Sequence, residues 1–153
     1  MRKKKEGLKV RGFLRTQIVN KDGSIAGDSG WLKNTVVDAG LIQLSNLITA
    51  AGNPIGYAGI ATQTDAMDVT QVDLVGPENV YEAITASQYG TATSNFTCSF
   101  AGTNNSDTIN LGAAGLFISN GGGDLFAGQT FASSTMSTAQ DFKLTYEIRF
   151  ATA

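Results

Sequence analysis

The segment from Phe142 to Phe150 constrains the fold of this chain more than any other. Large apolar residues occupy every second position there and alternate with polar or charged ones over nine residues. Such period-two alternation predicts a strand with one face in a core and the other face in water. A strand of this kind is stable only in a sheet, so the rest of the chain must supply its neighbours.

Shorter segments with strand character recur along the chain. Residues 8–19 and 25–36 are separated by Asn20–Gly23, a strong turn sequence, and predict a hairpin. Strand-like runs recur at roughly 8–12-residue spacing, which predicts an antiparallel β-sandwich or a jelly-roll-like barrel. The fold class is therefore mainly β. Besides the hairpin and the C-terminal segment, the strand-like segments are residues 55–62, 80–88, 92–101 and 108–119.

One amphipathic helix is predicted at about residues 37–51. Asn34 or Thr35 is expected to cap its start, and Asp38 in the first turn suits the helix dipole. Gly40 costs on the order of 1 kcal/mol inside a helix, which indicates close packing at that point. Apolar residues recur at three- and four-residue intervals and share one face: Val37, Leu41, Leu44, Leu47, Ile48 and Ala51.

The length of 153 residues predicts a single domain. Because residues 1–7 are mostly charged, we interpret them as a basic N-terminal arm, and we assign residues 8–153 to one β-sandwich domain. No run approaches the roughly 18 apolar residues that span a bilayer, so we expect no membrane contact. Lys9, Arg11 and Arg15 interrupt any apolar segment after the first basic cluster, which argues against a secretory signal.

Charge is segregated along the chain. Residues 1–33 carry a net charge of +6, whereas residues 34–142 carry −9 and contain no Lys or Arg. Charged residues make up only 16% of the chain, below the usual quarter, and Gly, Ser, Thr and Asn replace them. This composition is typical of β-rich proteins that pack against copies of themselves. It favours an assembly component over an enzyme.

The residue types needed for common catalysis are missing from the sequence. The chain has no His, which removes the usual general base near neutral pH and the commonest metal ligand. Its single cysteine, Cys98, alternates with Phe96 and Phe100, which predicts a buried apolar role. The acidic residues of segment 63–79 lack the spacing of a calcium loop. We therefore expect no catalytic residues, no metal and no cofactor.

The basic arm is the candidate site. Three roles are open to it: a solvated tail, a nucleic-acid contact through counterion release, or docking on an acidic protein surface. The acidic body would repel a phosphate backbone, so docking on protein is the interpretation we favour. Trp31, just before the predicted helix, is expected in the core. The residues of the partner-binding arm are Arg2, Lys3, Lys4, Lys5, Lys9, Arg11 and Arg15.

One stretch resembles a known group of proteins. The segment from Gly30 to Leu41 contains Asn34-Thr35-Val36-Val37-Asp38-Ala39-Gly40-Leu41 and leads into an apolar helix. A Gly-containing strand, 57–62, a Gly-Leu-Phe segment with a Gly-rich turn, 115–122, and the alternating C-terminal strand follow in order. This order is similar to that of small structural proteins of tailed-bacteriophage virions, assigned to head decoration or to tail and fibre. Ala113-Ala114 and the Arg2–Lys5 cluster depart from the group's pattern.

The resemblance implies a non-enzymatic virion protein that is made in the host cytoplasm. Our first hypothesis is a capsid decoration or cement protein that forms a homo-oligomer, with a trimer favoured. Its arm would dock on the major capsid protein or another virion protein. The alternatives are a tail or fibre module that binds host surface glycan, and an internal head protein that contacts DNA.

Overall fold

The computed structural model describes residues 7–48, 52–88, 92–105, 107–121 and 123–152. Over these residues the chain forms ten antiparallel strands and one α-helix, which confirms the mainly β prediction. The helix α1 spans Asp38–Ile48. The strands are β1 Leu8–Val19, β2 Ile25–Asp28, β3 Leu32–Val36, β4 Tyr57–Ala61, β5 Pro77–Ala83, β6 Thr85–Gln88, β7 Thr93–Ala101, β8 Ile109–Phe117, β9 Leu125–Met136 and β10 Asp141–Thr152.

The strands form a single sheet in the order β5-β4-β8-β9-β3-β1-β10-β7-β6, with β2 pairing on β1. Its longest ladder joins β1 and β10 and runs without a break from the Leu8–Thr152 pair to the Val19–Asp141 pair. The sheet bends into two halves that face each other. We call β6, β7, β10, β1 and β2 the front sheet, and β9, β8, β4 and β5 the back sheet.

Two segments join the front and back sheets and nearly close the barrel. β3 pairs with β1 through residues 32–34 and with β9 through Thr35 and Val36. On the other side, β5 pairs with β4 and β6 pairs with β7, and only Ile84 separates β5 from β6. Strands that switch sheets at a bend are the usual way to make the corners of such packings.

The main core lies between the two sheets. The alternating residues of β10 behave as the sequence predicts, since Phe142, Tyr146 and Ile148 are buried while Lys143 and Arg149 are exposed. The buried residues of this core also include Leu14, Ile18, Ile60, Phe96, Phe100, Leu111, Leu116, Phe126, Met136 and Leu144. Sheet pairing therefore places one apolar face of each sheet against the other.

The back sheet is buried on its outer side as well. A second apolar cluster lies there, and it is covered by the connection 62–76 between β4 and β5. Leu74 of this connection is only 4% exposed, and Met67 reaches over Gly128 of β9. The other buried members of the cluster are Val37, Ala61, Ala113, Phe117 and Leu125.

Helix α1 begins at Asp38, one residue after the predicted start, and its described part ends at Ile48; residues 49–51 lie outside the described residues. The predicted caps, Asn34 and Thr35, are wrong because β3 continues through both of them to Val36. Instead, the first turn is held by backbone bonds. The Val37 N–H donates to the Phe126 carbonyl (3.2 Å), and the Asp38 N–H donates to the Val69 carbonyl (2.8 Å).

The apolar face predicted for α1 is only partly buried. Leu44 packs against the main core, but Leu41 is 46% exposed and Leu47 is 38% exposed. The helix contacts the barrel mainly at β9, where Gly40 lies against Phe126. The apolar residues on either side of this contact, Leu41 and Leu47, are therefore exposed to solvent.

Candidate functional site: a basic face on the front sheet

The structure divides the predicted arm into two parts. Arg2, Lys3, Lys4 and Lys5 lie outside the described residues. The remaining three cations, at positions 9, 11 and 15, occupy odd positions of β1, whereas buried residues such as Leu14 occupy even positions. Because side chains alternate across a strand, these three cations lie on the water-facing side of the front sheet.

Pairing brings three further cations to the same side. Arg149 of β10 is the direct neighbour of Arg11, and Lys143 is the neighbour of Gln17. Lys33 of β3 lies beside Phe13. Sequence reasoning missed these three as site residues because they lie far from the arm in the chain. The alternation of β10 did predict that Lys143 and Arg149 lie on its solvent-exposed face. We call this set the basic face: Lys9, Arg11, Arg15, Lys33, Lys143 and Arg149.

Arg15 is engaged within its own chain. Its Nε and Nη2 donate to the two carboxylate oxygens of Asp28 at 3.1 and 2.6 Å, and this pair joins β1 to the end of β2. Asp28 also accepts hydrogen bonds from the Gln17 side chain (2.9 Å) and the Gly30 N–H (2.8 Å). The hydrogen bond from Arg15, followed by those from Gln17 and Gly30, lowers the pKa of Asp28 well below its usual range. Arg15 therefore stabilises the hairpin instead of offering a free charge.

Arg149 is also partly neutralised. Its Nε donates to Glu147 Oε2 at 3.0 Å, and its guanidinium carbon lies 4.4 Å from the centre of the Phe13 ring. A cation over an aromatic face is attracted by the ring quadrupole. The guanidinium is thereby held at the middle of the basic face, above the half-buried Phe13 ring.

Four cations remain without a partner. Lys9, Arg11, Lys33 and Lys143 are exposed and make no ion pair or side-chain hydrogen bond with another described residue. Arg11 faces Arg149 across the β1–β10 ladder, an arrangement that destabilises the pair slightly unless an anion sits nearby. The basic face can therefore bind carboxylates or other anions from outside the chain.

The side of the molecule away from the basic face is acidic. Connection 62–76, which we call the acidic loop, carries three Asp residues and no cation. Asp68 accepts hydrogen bonds from the side chain and the N–H of Thr70 (2.6 and 2.8 Å), and these bonds lower the pKa of its carboxyl. Asp73 accepts from the N–H groups of Leu74 (2.8 Å) and Gly123 (3.1 Å).

A buried amide organises the acidic loop. Gln63 is 6% exposed, and its Oε1 accepts hydrogen bonds from the Val75 N–H (2.9 Å) and the Gln71 side chain (2.7 Å). Its Nε2 donates to the Asp65 carbonyl (3.1 Å). The loop therefore presents its carboxylates from a fixed backbone, together with three exposed valines, Val69, Val72 and Val75.

The expectation that Trp31 lies in the core is wrong. Its side chain is 47% exposed. Gly30, with φ of 65°, turns the chain between β2 and β3, and Trp31 falls in the gap between the two strands. Because residues 29–31 belong to no strand, the alternation of buried and exposed side chains does not continue through Trp31.

The structure also describes the surroundings of the only cysteine. Cys98 packs against the main core, with its Sγ 3.9 and 3.8 Å from the carbonyl oxygens of Glu82 and Ala83. Burial, with a smaller effect of the Glu82 carboxylate, raises the pKa of its thiol to about 12. A thiol with so high a pKa is a poor nucleophile near neutral pH. In the described part of the chain, no three His, Cys, Asp or Glu residues are grouped to hold a metal ion.

Two of the clefts that the described residues form have apolar floors. A cleft of about 460 Å³ opens between β2 and β9, over a floor that includes Ile18, Phe131 and Phe142. A smaller apolar cavity of about 210 Å³ lies under α1, between Leu44 and Phe126. Neither contains a cluster of ionisable side chains.

Comparisons of the chain with protein-family models, with curated proteins and with solved structures found no match. None of the helical segments that the structure describes has the length and hydropathy needed to cross a bilayer.

Proposed function

We propose that this chain is a non-enzymatic virion protein, a capsid decoration or cement protein that forms a homo-oligomer and docks on the head shell through its basic N-terminal arm. One observation carries the proposal. β1 follows residues 1–7 directly, and the start of β1 carries Lys9 and Arg11 on the outer side of the front sheet, where neither has a partner among the described residues. The charge of the arm thus continues onto a folded surface.

The energetics favour docking at many sites at once. An exposed ion pair contributes only about 0–1 kcal/mol, so a single arm binds an acidic protein weakly. Copies arranged on a shell raise the effective concentration for one another, and weak contacts then suffice. The proposed partner is the major capsid protein or a neighbouring virion protein with an acidic surface, and a trimer is the oligomer that we favour.

The test of this function is cosedimentation with capsid shells that lack the protein. The variant Arg2→Gln/Lys3→Gln/Lys4→Gln/Lys5→Gln keeps the length of the arm and removes its charge. We expect its affinity for shells to fall about tenfold or more, since four exposed contacts are lost. Lys21→Gln, in the turn after β1, is the matched control and should bind as the unmodified chain does. Unchanged binding of the arm variant at low salt would refute the docking role of the arm.

Trp31 supports a second candidate, a tail or fibre module that binds host surface glycan. An exposed indole is a stacking platform for sugar rings, and here 47% of its surface is free. Binding of the protein to a glycan array, lost in Trp31→Ala and retained in Phe13→Ala, would favour this function over decoration. Absence of glycan binding together with binding to shells would eliminate it.

A further inference from the structure

The basic face and the acidic loop lie on opposite sides of the barrel. The basic face is the outer side of the front sheet, and the acidic loop covers the outer side of the back sheet. The main core fills the space between the two sheets. The two surfaces therefore point away from each other, and neither can neutralise the other within one molecule.

The acidic surface matches the basic face in charge. Asp65 and Asp68 of the loop are exposed, and Asp38 joins them because its N–H binds the Val69 carbonyl. The side chains of Asp38 and Asp65 make no ion pair or hydrogen bond with another described residue. Apart from Lys9, which lies close to residues 1–7, the basic face offers three cations that have no partner within the described part of the chain: Arg11, Lys33 and Lys143.

Both surfaces also carry apolar groups among their charges. Val69, Val72 and Val75 of the acidic loop are between 50% and 64% exposed. The basic face has the Phe13 ring under Arg149, and Trp31 lies two residues before Lys33. Apolar burial supplies affinity and the surrounding charges set orientation and association rate, so the mixture suits a protein interface.

We propose that the acidic loop of one copy docks on the basic face of a second copy, head to tail. The occupant of each surface is thus this same chain, because each surface carries the charge that the other lacks. Such a contact uses two different surfaces, so it is heterologous and leads to a closed ring or an open chain. The inference concerns the folded body, and it does not depend on a shell, on residues 1–7 or on the proposed function.

The experiment is sedimentation equilibrium of the full chain at about 0.05 M and about 0.5 M salt, a range over which the Debye length shrinks roughly threefold. We expect oligomers at low salt that dissociate at high salt. The basic-face variant Arg11→Gln/Lys33→Gln/Lys143→Gln and the loop variant Asp38→Asn/Asp65→Asn/Asp68→Asn should each raise the dissociation constant about tenfold or more. Lys21→Gln/Asp107→Asn, whose residues lie in exposed turns outside both surfaces, is the control and should associate normally.

A mixing experiment separates head-to-tail contact from a symmetric dimer. The basic-face variant keeps an intact acidic loop, and the loop variant keeps an intact basic face. When they are mixed at low salt, we expect a heterodimer that does not grow further, because its two outer surfaces are both neutralised. Circular dichroism of each variant verifies that it is folded.

Three results would overturn the inference. They are a monomeric chain at low salt, an oligomer that neither variant weakens, and a mixture of the two variants that forms no heterodimer. Because no shell is present, each result leaves the docking function of the arm to be judged by its own test.

Discussion

At the scale of single residues, glycine stands where two parts of the backbone approach each other closely. A Cβ on Gly40 of α1 would lie 2.2 Å from the Phe126 carbonyl oxygen, so the helix rests directly on β9. Gly12 of β1 leaves space for the Asn34 side chain, since a Cβ there would lie 1.8 Å from Asn34 Oδ1. A side chain at position 40 would meet fixed backbone, whereas one at position 12 would have to displace the Asn34 side chain.

Gly40→Ala should therefore destabilise the protein. Alanine normally favours a helix by about 1 kcal/mol over glycine, but here overpacking against the Phe126 backbone should cost about 1–3 kcal/mol net. Urea unfolding measures the change. Gly56→Ala is the control: its Cβ would have no neighbour closer than 3.6 Å, and the free energy of unfolding should change by less than about 1 kcal/mol. A stabilised Gly40→Ala protein would show that α1 does not rest on β9.

At the scale of elements, the acidic loop has a fixed shape without secondary structure of its own. Its ends are tied by the bond from the Thr62 N–H to the Gly76 carbonyl (3.0 Å), and its middle is tied by the bond from the Leu125 N–H to the Val72 carbonyl (3.1 Å). Gln63 supplies the internal bonds that a helix or strand would otherwise provide. A loop of this length is ordered only where such bonds satisfy its backbone.

Gln63→Ala removes this support. The Val75 N–H loses its acceptor, and the Gln71 amide keeps only its bond to the Asp73 carbonyl (2.7 Å). A part-buried group left unsatisfied costs about 1 kcal/mol, the lower end of the range for buried groups. We expect that loss in the free energy of unfolding, together with faster hydrogen exchange at the Val75 amide. Gln129→Ala, at a half-buried glutamine with no side-chain hydrogen bond to another described residue, should change stability by less than about 0.5 kcal/mol. Equal effects of the two substitutions would argue against the organising role of Gln63.

At the scale of the whole molecule, the two sheets share one core and two corners. Phe142 of β10 shows this most directly, because its ring lies 6.0 Å from Phe100 of β7 and 5.9 Å from Phe131 of β9. One residue thus links a front strand, its neighbour and a back strand. Sheets joined in this way should unfold together.

Phe142→Ala should lower the stability of both sheets by the same amount. Removal of a fully buried Phe costs about 3–5 kcal/mol, a large part of the usual 5–15 kcal/mol of a native protein. We expect the far-ultraviolet and near-ultraviolet circular dichroism transitions to shift together to lower denaturant. Phe13→Ala, at a half-buried ring on the outer side of the same ladder, should cost less. Separate transitions for the two signals would show that unfolding is not a single cooperative step.

The alternation of Phe142–Phe150, the turn at Asn20–Gly23 and the three-to-four spacing after Val37 were sufficient to predict strands, a hairpin and one helix. These features are local, because side-chain period and turn chemistry depend on neighbouring residues. The same reasoning placed Lys9 and Arg11 in a basic segment. It failed at Asn34, Thr35 and Trp31, where long-range pairing of β3 decides the conformation.

Tertiary structure alone decided which distant residues share a surface. Lys33, Lys143 and Arg149 join Arg11 only because β3 and β10 pair on the two sides of β1. The opposite placement of the acidic loop follows from its packing over the back sheet, which no local pattern encodes. The sequence alone determines that positive and negative charges lie in different segments of the chain. Only strand pairing decides that these charges form a basic face and an acidic loop on opposite sides, because pairing depends on contacts between residues far apart in the chain.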